Sequence, residues 1–101
     1  MAENINRLPA FQPPHPGAVL RDTILPAAGI PKATLAAHIG LSRQSLYQIL
    51  NEQRGITADV AARLGRGFGN SSLFWLNLQT MHDAWEAEQS ETVQAVTRLR
   101  A

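Results

Sequence analysis

The sequence predicts an all-α fold of five helices joined by short turns. Three observations carry this expectation. Apolar residues recur at three- and four-residue spacing, and no stretch alternates with the period of two that a half-buried strand would show. Residues that cap helix starts (Ser42, Thr57, and Ser71 or Ser72) stand just before these periodic stretches. Glycines close them, at Gly29, Gly40 and Gly69.

Residues 1–14 contain Pro9, Pro13 and Pro14 and show no periodicity, so a flexible or extended arm is expected there. His15-Pro16-Gly17 opens the first helix, because the fixed φ of proline suits a first turn. Leu20, Ile24 and Ala28 mark its buried stripe, and Pro26 with Gly29 is expected to end it. Pro31 starts the second helix, whose inner face is Leu35, Ala36 and Ile39. The third runs from Arg43 to about Asn51, and a loop follows from Glu52 to Ile56. Thr57 caps the fourth, with Val60, Leu64 and Phe68 facing inward; Gly65 and Gly67 read as close-packing positions. The fifth reaches about Gln89, with Phe74, Leu78, Met81 and Trp85 in one narrow arc. Beyond Ser90, Val93, Val96 and Leu99 are spaced for a short helix. The expected organisation is thus an arm (1–14), a helical domain (15–89) and a tail or short helix (90–101).

Composition narrows the function. Apolar residues make up 45% and charged residues 17% of the chain, as in an ordinary globular domain. The lack of cysteine excludes a disulfide framework, thiolate metal sites and cysteine catalysis, and suits a reducing cytoplasm. No apolar run approaches the roughly 20 residues of a membrane span, and residues 1–14 lack a signal-peptide core. A cytoplasmic, membrane-free protein is therefore expected. His15, His38 and His82 stand far apart, without ligand spacing. Gly65, Gly67 and Gly69 follow no strand, which a phosphate-binding glycine loop requires. Neither catalysis, nor a metal, nor a cofactor is expected. Net charge is +1, unevenly spread. Arg7, Arg21, Lys32, Arg43, Arg54, Arg63 and Arg66 outnumber Glu3, Asp22, Glu52 and Asp59, leaving +3 on the front of the chain. Asp83, Glu86, Glu88 and Glu91 against Arg98 and Arg100 leave −2 at the rear. That asymmetry suits DNA on one side and a basic partner on the other.

The segment from Lys32 to Asn51 has the residue types of a helix-turn-helix at its required offsets. Ala36 stands where the two helices cross closely, and Gly40 where the sharp turn favours positive φ. Leu35, Ile39, Leu41, Leu46 and Ile49 fill the apolar positions. The outer side of the third helix is polar. Arg43, Gln44, Gln48, Ser45 and Asn51 are the expected base contacts, arginine matching guanine, and glutamine or asparagine matching adenine. Lys32, Thr34, Ser42, Tyr47 and Arg54 are placed to hold phosphates.

Three stretches flank this unit: HPGAVLRDTIL (His15 to Leu25), RGITADVAARLGRGFG (Arg54 to Gly69) and SSLFWLNLQTMHD (Ser71 to Asp83). With them the chain resembles the HigA-type antitoxins of type II toxin–antitoxin systems, in the Xre/Cro-like helix-turn-helix superfamily. The resemblance covers roughly Pro14 to Trp85 and implies a lambda-repressor-like DNA-binding domain. It further implies a protein that neutralises a small basic toxin, usually a RelE-like ribosome-dependent mRNA endonuclease. Such a protein dimerises on an inverted-repeat operator and represses its own operon. Reading two half-sites about 34–36 Å apart also calls for a dimer. Leu73, Leu76, Trp75 and Trp85 on the fifth helix are the expected homodimer contacts. Two alternatives are a stand-alone helix-turn-helix regulator and a protein-interaction module with little DNA role.

Overall fold

Six helices follow one another in the computed structural model, which describes residues 8–100; no strand occurs among these residues. The all-helical expectation holds, with the short tail helix as the sixth member. Helix α1 changes pitch along its length. Pro16–Val19 is α-helical, Leu20–Ile24 is a π turn, and Leu25–Ala28 is α-helical again. The N–H of Leu25 bonds the carbonyl of Leu20, five residues back. That extra residue rotates the buried stripe. Leu20 and Leu25 are in the core, Ile24 is half-buried and Ala28 is exposed, so Leu25 replaces Ala28 on the expected inner face.

The wide turn also accounts for Pro26. Proline has no N–H to give, and its ring crowds the carbonyl four residues back. A π turn loosens that spacing. The helix therefore runs unbroken through Pro26 and closes at Gly29, with φ 68°, so of the two residues expected to end it only the glycine does.

Helices α2 (Lys32–Ile39) and α3 (Arg43–Leu50) form the helix-turn-helix. Gly40, at φ 77°, takes the left-handed turn between them, which glycine adopts at least cost. Helix α4 is Ala58–Phe68, α5 is Ser72–Glu88 and α6 is Glu91–Gln94. The caps are those the sequence marks. Ser42 Oγ accepts from the N–H of Ser45 at 3.0 Å, Thr57 Oγ1 from Val60 at 3.2 Å and Ser71 Oγ from Phe74 at 3.1 Å. Each is worth about 1 kcal/mol.

The core joins Leu20 and Leu25 of α1, Leu35 and Ile39 of α2, Leu46, Ile49 and Leu50 of α3, Val60 and Leu64 of α4, and Trp75 of α5. Two close approaches set the helix positions. A Cβ on Gly17 would lie 1.8 Å from the Ile49 carbonyl oxygen, so α1 sits directly on the backbone of α3. A Cβ on Gly65 would lie 2.7 Å from the Ser71 carbonyl carbon, which lets α4 meet the start of α5.

Helix α5 faces inward differently from the sequence reading. Trp75, expected at a dimer contact, is fully buried and its indole Nε1 donates to Asn70 Oδ1 at 2.8 Å. Phe74 and Met81, expected on the inner arc, are exposed. The reason is that two inner positions are polar. Gln79 Oε1 accepts from the N–H of Ile56 at 2.8 Å, and the His82 ring Nδ1 meets the Pro13 carbonyl at 2.9 Å. Satisfied polar groups can occupy an inner face, but an apolar pattern does not reveal them.

Residues 8–14 are irregular and lie along α5. Trp85 Nε1 donates to the Pro9 carbonyl at 3.2 Å, and Gln12 reaches His82. The part of the expected arm before residue 8 lies outside the described residues.

Candidate nucleic-acid interface

Helix α3 divides cleanly. Leu46, Ile49 and Leu50 are buried beneath it, while Arg43, Gln44, Tyr47 and the following Asn51 are exposed. Ser45 and Gln48 are half-buried on the flank. The outer residues expected to meet bases therefore lie along one edge. Ser42 sits at the N-terminus of α3, where free backbone N–H groups attract anions. Lys32 at the start of α2 lies with its Nζ 5.8 Å from the centre of the Tyr47 ring, which ties the two helices' phosphate-contact candidates together. Thr34, His38 and Arg43 line a shallow open hollow between α2 and α3.

Arg54 is not a remote loop residue. Its Nη1 donates to Ser45 Oγ at 3.4 Å and Gln48 Oε1 at 3.3 Å, which brings it onto the α3 face. Among the described residues Lys32, Arg43 and Arg54 make no ion pair, nor do Arg66, Arg98 and Arg100, whereas Arg21 and Arg63 do.

The paired arginines have a role that the sequence reading missed. Arg63 Nη1 donates to the Ile39 carbonyl at 2.9 Å and closes the end of α2. Arg21 Nη1 donates to the Leu50 carbonyl at 2.8 Å and closes the end of α3. It also meets Glu52 Oε2 at 3.2 Å, and its Nε holds Asp22 at 2.8 Å. Arg21 keeps the Asp22 carboxyl below its ordinary range, mainly by hydrogen bonding. Glu52 has φ 61°, unusual for a residue with a Cβ. Its N–H bonds the Ile49 carbonyl and that of Gln53 bonds Gln48, so the turn after α3 is fixed. A cation near a helix C-terminus complements its dipole. The spacing of arginines in the sequence carries no sign of which carbonyls they reach.

His15 anchors the same region from behind. It is buried, and its Nδ1 accepts from the N–H of Gly17 at 2.9 Å as the cap of α1. Its ring stands edge-on to His82 at 5.1 Å. Burial pushes the His15 imidazole below the ordinary 6.5, and His82 acts in the same direction. Nearby Glu52 and Asp83 and the Arg54 backbone act against it.

No group of three or more metal-ligating side chains occurs among the described residues. No helix among them is long and apolar enough to cross a membrane.

Comparison with known proteins matches these features. A helix-turn-helix family model covers residues 20–76, from α1 into α5. Virulence-associated protein I of Dichelobacter nodosus is 43% identical over 86 residues, spanning 85% of this chain and 77% of the relative. The structure of the Pseudomonas aeruginosa antitoxin HigA with the higBA promoter is similar at a TM-score of 0.75 and 40% identity, over 86% of this chain and 98% of that one. The antitoxin GraA in complex with its operator gives a TM-score of 0.80 at 37% identity, over 94% of this chain and 99% of that one. The chain belongs to the DNA-binding helix-turn-helix family, among the HigA-type antitoxins.

Proposed function

We propose that this protein is a cytoplasmic antitoxin that binds an inverted-repeat operator as a homodimer, represses its own operon and neutralises a small, basic, RelE-like mRNA-cleaving toxin. The observation that carries the DNA-binding part is the exposed polar edge of α3 above a buried Leu46, Ile49 and Leu50. Arg43, Gln44, Ser45, Gln48 and Asn51 lie on or beside that edge. They read bases, and Lys32, Thr34, Ser42 and Tyr47 hold phosphates; Arg54, expected from the sequence as a fifth phosphate contact, is turned toward Ser45 and Gln48 instead. The relatives bound to a promoter and to an operator support this use of the helix.

One helix-turn-helix covers one half-site, so operator binding joins two copies. The exposed Leu73 of α5, with the half-buried Leu76 and Trp85, forms the apolar surface proposed for that contact. Phe74 and Met81 extend it, and Trp75 does not belong to it because it is buried. The acidic residues Asp83, Glu86 and Glu88 of α5, with Glu91 at the start of α6, suit a basic toxin.

Gel-shift titration against the promoter of the chain's own operon tests the DNA role. Arg43→Ala combined with Gln44→Ala is expected to weaken binding and flatten sequence preference. Unchanged affinity and preference would remove α3 from the reading. The parent protein is also expected to lose affinity steeply as salt rises, since each phosphate contact releases counterions. A flat salt dependence would favour the protein-interaction module instead.

A further inference from the structure

We propose that Arg54 is a positioning residue that turns Ser45 and Gln48 into hydrogen-bond donors, so that this flank of α3 reads guanine; the inference rests on the DNA-reading role proposed above. The chemistry is forced by the guanidinium, which has N–H donors and no acceptor. The atoms facing it at 3.3 and 3.4 Å are therefore oxygens: the Gln48 carbonyl and the Ser45 hydroxyl oxygen. With its carbonyl turned to Arg54, Gln48 offers its amide N–H groups to the outside. Ser45, accepting from Arg54, offers its O–H.

The consequence lies in the code of the major groove. Glutamine reads adenine by using both ends of its amide, accepting from N6–H and donating to N7. A glutamine whose Oε1 already accepts from Arg54 keeps one lone pair there, so the first half of that pair is weakened. A surface weighted toward donors matches the paired N7 and O6 acceptors of guanine best, meets the single acceptors of adenine (N7) and thymine (O4) less fully, and meets the amino groups of adenine and cytosine unfavourably. The general pairing of glutamine with adenine is thereby tilted toward guanine at Gln48.

The backbone that carries Arg54 is held on both sides. Before it, Arg21 grips the Leu50 carbonyl and Glu52, and the N–H of Gln53 bonds the Gln48 carbonyl at 2.8 Å. After it, Gln79 holds the N–H of Ile56 at 2.8 Å. The guanidinium is thus delivered to α3 by a fixed loop, as an orienting role requires.

Selection from a pool of randomised double-stranded DNA, followed by sequencing of the bound fraction, tests this with the full chain. Gln48→Ala identifies the base pair that Gln48 reads, as the one where preference disappears. The parent is expected to favour guanine over adenine there by roughly tenfold, within the range that one good base contact brings. Arg54→Met is expected to move that position toward adenine by roughly tenfold, because the carbonyl is freed. Arg54→Lys, which still donates to the same oxygens, is expected to restore guanine. In the Gln48→Ala background Arg54→Met is expected to change nothing at that pair.

A uniform loss of affinity in Arg54→Met, with unchanged base preferences and a salt slope shallower by about 1, would make Arg54 a phosphate contact and overturn the inference. Persistence of the Arg54→Met effect in the Gln48→Ala background would make Arg54 a direct reader and overturn it equally. Failure of the parent to enrich any sequence would overturn the proposed function itself.

Discussion

Gly17 provides a test in which tertiary packing and local propensity predict opposite signs. Alanine is favoured over glycine in helices by up to about 1 kcal/mol, so Gly17→Ala considered locally should stabilise α1. The structure reverses this. The new Cβ would lie 1.8 Å from the Ile49 carbonyl oxygen and 2.8 Å from its carbon. Ordinary contact begins near 3.4 Å, so the backbones of α1 and α3 must part by about 1.6 Å. Backbone cannot rotate out of the way as a side chain can. Overpacking of this kind costs about 1–3 kcal/mol or more, and the upper end applies here. With the propensity gain subtracted, a loss of about 2 kcal/mol remains, or about 10 °C in Tm for a domain of this size. Thermal unfolding followed by circular dichroism measures it. Gly29→Ala serves as the reference: nothing lies within 4 Å of its Cβ, and its φ of 68° should cost only about 1 kcal/mol. A Tm for Gly17→Ala equal to or above that of the parent would refute the claim that α1 rests on the α3 backbone. Because Ile49 belongs to α3, the same variant should also bind operator DNA more weakly per folded molecule.

Two further outcomes follow from the core. Trp75→Ala should cost about 3–5 kcal/mol in urea unfolding, as expected for emptying a fully buried aromatic site. Near-parent stability with weakened self-association would return Trp75 to the contact face. The depressed His15 gives stability a direction with pH. The unfolded chain binds a proton near 6.5, where the folded chain still resists it, so stability is full above that value and is lost as pH falls below it. Urea midpoints should fall between about pH 7.5 and about pH 5.5, and His15→Ser, which can still cap α1, should flatten the profile. An equal slope in that variant would assign the pH dependence to another group.

How far the sequence is legible depends on the range of the forces involved. Ser42, Thr57 and Ser71 cap helices through their own neighbouring N–H groups, and Gly40 and Gly69 end them through their own φ. These effects are complete within a few residues, so boundaries could be read directly from the chain. The same holds for α3, where an eight-residue helix with a dry side and a polar side needs only its own periodicity to be recognised.

The tertiary structure decided the rest, because the deciding partners are distant in sequence. The π turn in α1 is stabilised by placing both Leu20 and Leu25 in a core built from other helices. The inner face of α5 follows Trp75, Gln79 and His82 because Ile56 and Pro13 supply hydrogen-bond partners from far along the chain. Arg21 and Arg63 read as surface charge until the fold brings the carbonyls of Leu50 and Ile39 to them. By itself, then, the sequence determined the helices, their caps and the polar edge of α3, all products of short-range spacing and local hydrogen bonds. Only the folded chain decided which face of α5 is dry, which arginines hold helix ends and which oxygens Arg54 engages, since each depends on groups brought together by packing.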